Sequence, residues 1–125
     1  MTEISLSRVK KALDSLKRGY KDQLSELERD GLIQRFEFTL EQCWKTSKKV
    51  LLNNGIDVDT PKNVFREMGS LGWIKHPEKW LDYIEKRNEA SHMYNEEIAV
   101  RIFSVIKDFI IDAEKLIITL ENKNK

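Results

Sequence analysis

Residues 96–120 read Glu96-Glu97-Ile98-Ala99-Val100-Arg101-Ile102-Phe103-Ser104-Val105-Ile106-Lys107-Asp108-Phe109-Ile110-Ile111-Asp112-Ala113-Glu114-Lys115-Leu116-Ile117-Ile118-Thr119-Leu120. Ile98, Val100, Ile102, Phe103, Ile106, Phe109, Ile110, Ala113, Ile117 and Leu120 make this segment rich in core residues, at steps of mostly three and four. That spacing is the period of a helix with a wide apolar face. The helix begins near Asn95, and Glu96 and Glu97 suit the positive end of its dipole. A helix this apolar needs partners of its own kind, and the rest of the chain supplies them.

Leu6, Val9, Leu13, Leu16, Tyr20, Leu24 and Leu27 form one apolar stripe on a long first helix. Gly19 lies within it and weakens it modestly. Asp30-Gly31 punctuates its end, with Asp30 suited to cap the next helix. The second helix runs from Leu32 to Asn53, burying Ile33, Phe36, Leu40, Cys43, Val50 and Leu51. Phe38, Trp44 and Leu52 widen that face, and Asn54-Gly55 stops it. Thr60-Pro61 is an N-cap followed by proline at the first helical position, opening a short helix to Met68. Gly69-Ser70-Leu71-Gly72 breaks the chain again. A further helix from Pro77 carries Trp80, Leu81, Tyr83 and Ile84 up to Arg87. The tail Glu121–Lys125 is expected to fray. The pattern predicts an all-α, antiparallel up-and-down four-helix bundle, with the short helix in the second crossover. No repeat or linker divides it, so residues 1–125 read as one domain with a core over about 5–120.

The chain has 125 residues, 40% hydrophobic and 34% charged, the mixture of a soluble globular protein. No apolar run nears the roughly 20 residues that span a bilayer. Met1-Thr2-Glu3-Ile4-Ser5 lacks the pattern of a signal peptide. The single cysteine, Cys43, excludes an internal disulfide and fits the cytoplasm. A net charge of +1 is too balanced for a duplex-DNA binder, although a few converging cations still suffice for a local phosphate site. One cysteine and two separated histidines form no recognisable metal set, and no cofactor is expected.

One segment carries chemistry. Arg87-Asn88-Glu89-Ala90-Ser91-His92-Met93-Tyr94 places a permanent cation, an imidazole and a phenol within eight residues. Arginine offers a planar fork for phosphate, histidine moves a proton near neutral pH, and a phenol can donate, accept or be modified. On a straight helix, at about 100° per residue, Arg87 and His92 would sit roughly 140° apart, whereas Arg87 would nearly align with Tyr94 and Asn88 with His92. Convergence therefore needs a break between Ala90 and Asn95, a second copy of the chain, or both. A surface cation, a packed histidine and an edge aromatic are the plainer readings of the same three residues. His76 reads as a turn residue, the three tryptophans as core or interface, and Lys45, Lys48 and Lys49 as a solvated face.

Arg87-x4-His92-x-Tyr94 resembles the Arg-x4-His-x-Tyr signature of HEPN domains. Trp80-Leu81, Arg87-Asn88 and Ser91-His92-x-Tyr94 in order resemble one branch of them, encoded beside a minimal nucleotidyltransferase and first described as its substrate-binding protein. Arg35-Phe36-Glu37-Phe38, Trp44-Lys45 and Thr60-Pro61 are similar to that branch as well. The resemblance implies a homodimer with two motif copies in a shared cleft and metal-independent cleavage of RNA. His92 would then be the general base or acid, Arg87 the phosphate holder and Asn88 an orienting residue. Ser91 and Glu37 are supporting candidates. It further implies a toxin whose nucleotidyltransferase antitoxin, encoded nearby, silences it by adenylylating Tyr94. A non-catalytic substrate-binding subunit of the nucleotidyltransferase is the alternative.

Overall fold

The computed structural model describes residues 3–124, all of them helix, turn or coil. The helices are α1 (Ser7–Gly19), α2 (Glu26–Asn53), α3 (Pro61–Ser70), α4 (Pro77–Glu89) and α5 (Glu96–Lys123), with one 3-10 turn at Ala90–His92. The all-α expectation holds. No helix among the described residues is long and apolar enough to cross a membrane. The expectation about a leader at Met1-Thr2 lies outside the described residues.

The two long helices, α2 and α5, pack along each other and form the centre. They run parallel, because Arg29 at the start of α2 pairs with Glu96 at the start of α5, while Asn54 beyond α2 donates to the Lys123 carbonyl at the end of α5. Helix α1 lies against both and runs antiparallel to α5, through Lys10–Glu121 and Lys17–Glu114. Helix α4 also lies against both, tied to α5 by Tyr83 and Lys79 at Asp112 and by Glu89 at Arg101. The centre is one continuous apolar cluster in which Phe36, Phe65 and Phe109 are fully buried. Phe109 meets Phe36, Tyr83 and Trp80 edge to face, with ring centroids 4.9, 5.1 and 5.7 Å apart. Such geometry adds about 0.5–1.5 kcal/mol per pair beyond burial.

Three boundaries differ from the sequence reading. Helix α1 ends at Gly19, and α2 begins at Glu26, ahead of Leu32. Ser25 and Glu28 form a reciprocal capping box, with Ser25 Oγ accepting from the Glu28 amide and Glu28 Oε1 from the Ser25 amide. A glycine inside a helix costs about 1 kcal/mol, and a good N-cap contributes about as much. Gly31 is therefore carried within α2, and Asp30 caps nothing there. Leu27 falls outside the first helix and is 83% exposed. Gly19 marks a close crossing, since a Cβ there would lie 2.6 Å from Arg35 Nη1 and 3.3 Å from Leu32 Cδ1.

The second correction is the C-terminal tail, which is ordered through Asn124. The Asn124 side chain clasps Ile4, accepting from its amide at 2.8 Å and donating to its carbonyl at 2.6 Å. Lys125 lies outside the described residues. Third, α3 extends to Ser70 and does more than decorate the crossover. Val64, Phe65 and Met68 are buried, and Phe65 stacks on Trp80 at 4.7 Å. Phe38, Leu52 and Val100, expected inside, are all more than half exposed. Helix α2 lies between partners on some sides only, so period alone overcounted its buried face.

Candidate functional site

Helix α4 starts on Pro77 and carries Arg87 in its last turn, where a cation complements the helix dipole. The helical path stops at Glu89, tightens into the 3-10 turn Ala90–His92, and restarts at Glu96. A break between Ala90 and Asn95, one of the two routes to convergence that helical geometry left open, is thus present. Its causes are local. Ala90 is 2% exposed and Met93 is packed against the core, so these two face inward. Ser91, His92 and Tyr94 point the other way, and Tyr94 is 84% exposed. The Met93 amide donates to the Ala90 carbonyl and the Asn95 amide to the His92 carbonyl. Asn95 then caps α5, its Oδ1 accepting from the amides of Glu97 and Ile98.

The structure joins the candidate residues as two groups. His92 and Tyr94 form one: the Tyr94 hydroxyl lies 3.4 Å from His92 Nδ1, and the rings meet edge to face with centroids 5.9 Å apart. The contact is long for a hydrogen bond and leaves both side chains open to solvent. Arg87 belongs to the other group, with Glu37 and Glu41 of α2. Burial pushes the Glu37 carboxyl up, and the Arg87 charge pulls it partly back. Glu41 is held low, first by its 2.6 Å bond from Lys45, with the charges of Lys45 and Arg87 adding to it against burial. No hydrogen bond or ion pair among the described residues links Arg87 to His92. The half-buried Arg87 side chain keeps its Nε buried without a hydrogen-bond partner. Asn88 is exposed, and its carbonyl accepts from Ser91 Oγ at 3.5 Å.

Electrostatically this leaves Arg87 only partly compensated. Lys45 already neutralises Glu41, and burial disfavours charge on Glu37. A guanidinium in that setting retains capacity for a further anion. In the turn that follows, an exposed imidazole can take or give a proton, and an exposed phenol can donate or accept a hydrogen bond. Among the described residues, no three His, Cys, Asp or Glu side chains gather as metal ligands.

Several positioning residues escaped the sequence reading. Arg29 grips Glu96 with both terminal nitrogens, at 2.8 and 2.9 Å, and so pins the start of α5 to the start of α2 beneath the turn. Glu89 pairs with Arg101 at 3.5 Å across the same turn. Asn95 reads in the sequence as the start of the last helix but not as its capping side chain, although an Asn followed by two Glu is a recognisable cap. Nothing local to Arg29 indicates a partner 67 residues away.

Comparison with known proteins fits this arrangement. The family described as nucleotidyltransferase substrate binding protein like matches residues 4–122. A Haemophilus influenzae protein named "Probable ribonuclease HepT" is 34% identical over 100 residues, covering 76% of this chain and 68% of its own length. A Thermus thermophilus protein of known crystal structure superposes with a TM-score of 0.86 at 32% identity, over 90% of this chain and 98% of its own. A second structure, from Haemophilus influenzae, has a TM-score of 0.82 at 27% identity, over 94% and 99% of the two chains. It is described as the fold of a substrate binding domain of a nucleotidyltransferase. The chain therefore belongs to the nucleotidyltransferase substrate-binding-protein-like family, the HEPN branch that its motif blocks resemble.

Proposed function

We propose that this protein is a metal-independent endoribonuclease, the toxin half of a pair with a nucleotidyltransferase, and that Arg87 and His92 carry its chemistry. The observation that carries the reading is the exposed turn after α4, where His92 and Tyr94 touch one another five and seven residues past a half-buried, undersaturated Arg87. The relative named as a probable ribonuclease supports the same class. His92 accepts the proton of an RNA 2′-hydroxyl, whose oxygen attacks the adjacent phosphorus. The bond from phosphorus to the 5′-oxygen breaks, and that oxygen takes up a proton as it leaves, from the second motif copy in a homodimer. The products are a 2′,3′-cyclic phosphate and a 5′-hydroxyl. Arg87 holds the phosphate oxygens while charge builds on them, Asn88 orients the imidazole or the phosphate, and Ser91 and Glu37 support the site.

Tyr94 is the control point in this reading. Adenylylation of its hydroxyl would place a phosphodiester against the imidazole and near Arg87, blocking the RNA phosphate by bulk and like charge. The match over residues 4–122 supports one helical domain, and the lone buried Cys43 agrees with a cytoplasmic protein.

The test is cleavage of RNA in excess chelator by the unmodified protein and by His92→Ala. Loss of a general base lowers the rate by about 10²–10⁴-fold, so equal cleavage by both proteins refutes the reading. Intact mass with ATP and the adjacent nucleotidyltransferase should rise by adenylate, and Tyr94→Phe should abolish the rise. The alternative is a non-catalytic subunit that presents substrate to the nucleotidyltransferase, favoured by the description of the Haemophilus structure. It requires a stable complex and no RNA turnover with Tyr94 unmodified.

A further inference from the structure

Phe38 was expected in the core, yet it is 52% exposed and lines a groove between α1 and α2. The groove holds about 660 Å³ and is bounded by one stripe of α1 (Arg8, Lys11, Ala12, Ser15) and one of α2 (Gly31, Gln34, Arg35, Phe38, Gln42). Each set recurs at three and four residues, so both helices turn a single face to the same valley. The eleven residue-to-residue steps from Gly31 to Gln42 make it roughly 16 Å long at about 1.5 Å per residue. Its wall carries three cations and no carboxylate. Arg8, Lys11 and Arg35 make no ion pair among the described residues, whereas neighbouring Lys10, Lys17 and Arg18 each do. Gly31, at one end of the α2 stripe, leaves open space beside it.

We propose that this groove is a docking track for single-stranded RNA, separate from the Arg87–His92 turn, which holds the strand while the turn acts on it. The inference rests on the ribonuclease reading for its biological sense. Its physical basis is local: cations without carboxylate partners for phosphates, Arg35 among them although its Nη1 donates to the Ser15 carbonyl at 2.9 Å, an exposed ring on which a base can stack, and the Gln34 and Gln42 amides for base edges. An acidic peptide would satisfy the cations and leave the ring and both amides without purpose. The track and the turn share α2, since Glu37, which feels the Arg87 charge, is the residue next to Phe38.

The experiment measures binding of a fluorescent 2′-O-methyl oligoribonucleotide, which cannot be cut because its 2′-oxygen is blocked. The proteins are the full-length wild type, Phe38→Ala and the double variant Arg8→Gln/Lys11→Gln. These side chains are at the surface, and unchanged melting curves verify folding. Phe38→Ala should weaken binding by about tenfold at all salt concentrations, the scale of one lost base stack. The double variant should flatten the slope of log affinity against log salt by about 1.4, or about 0.7 for each lost phosphate contact. In cleavage assays both variants should raise KM for long RNA and leave kcat and the cutting of a dinucleotide unchanged.

Wild-type affinity and salt slope in both variants overturn the groove, whatever happens to cleavage. Tight binding of the oligonucleotide by a protein that cuts no RNA sinks the ribonuclease reading and keeps the groove. Binding of a polyglutamate peptide in preference to the oligonucleotide overturns the RNA assignment. So does conversion of a dimer to monomers by these substitutions, which would make this face a contact between copies.

Discussion

Asn95 is the joint between the candidate turn and α5, so Asn95→Ala is the perturbation that best separates local from global order. The substitution removes an acceptor from two amides, Glu97 at 3.0 Å and Ile98 at 3.4 Å. Losing an N-cap costs about 0.5–2 kcal/mol. The second bond is long and the site is exposed, so water recovers part of the loss and about 1 kcal/mol is expected. For a chain of this size that lowers Tm by roughly 3–5 °C. The loss should stay local, because the Arg29–Glu96 grip remains and Ala99 is fully buried one turn further on. Hydrogen exchange at the Glu97 and Ile98 amides should accelerate by about fivefold, the same 1 kcal/mol expressed as an opening constant. Amides in the middle of α5 should change only by the global shift. Asn95→Ser retains the cap and should restore both readouts. A melting temperature within about 1 °C of wild type together with unchanged exchange refutes the assignment, since the cap would then contribute nothing.

Three further outcomes concern the core and the titrating groups. Phe109→Leu keeps most of the buried area but forfeits three edge-to-face contacts, so it should cost about 1.5–4 kcal/mol in urea denaturation with unchanged m, and Phe109→Ala somewhat more. A loss below about 0.5 kcal/mol for the leucine variant would show that the aromatic geometry is incidental. Burial raises the carboxyl of Glu37 above its usual range, so the folded state binds its proton more tightly than the unfolded one. The resulting cost is present above the folded pKa and is relieved as pH falls through it toward 4.5. Glu37→Gln should therefore be no less stable than wild type at pH about 7.5, and wild type should gain on it by pH about 5; a gap that widens on acidification contradicts the burial argument. The Cys43 thiol is fully buried and its pKa is pushed far up by that burial, so it should resist thiol reagents until the protein unfolds. Rapid labelling under native conditions would mean that the middle of α2 opens.

The sequence alone determined the helical class and the five helical segments, and it singled out residues 87–94 as the candidate site. Apolar residues at steps of three and four, Thr60-Pro61 and Asn54-Gly55 are local signals, and each acts through its own neighbours in the chain. It also showed that Arg87 and His92 cannot share a face of one straight helix, so that their convergence needs a break after Ala90, a second copy of the chain, or both. What it lacked was the relative worth of competing local signals. Asp30-Gly31 looked like a boundary, and only the Ser25–Glu28 capping box and the packing of Leu32 and Ile33 carried α2 past it. It also lacked the partners of each face. Tertiary packing decided that Phe38 and Leu52 lie outside, that Thr39 lies inside with its hydroxyl donating to the Ala12 and Arg35 carbonyls, and that Asn124 closes on Ile4. The same holds at the site. The motif shows which groups are present, but the company of Arg87 with Glu37 and Glu41, and the grip of Arg29 on Glu96, arise from helices far apart in the chain. Periodicity says which side of a helix is apolar; only the assembled helices determine which side is covered.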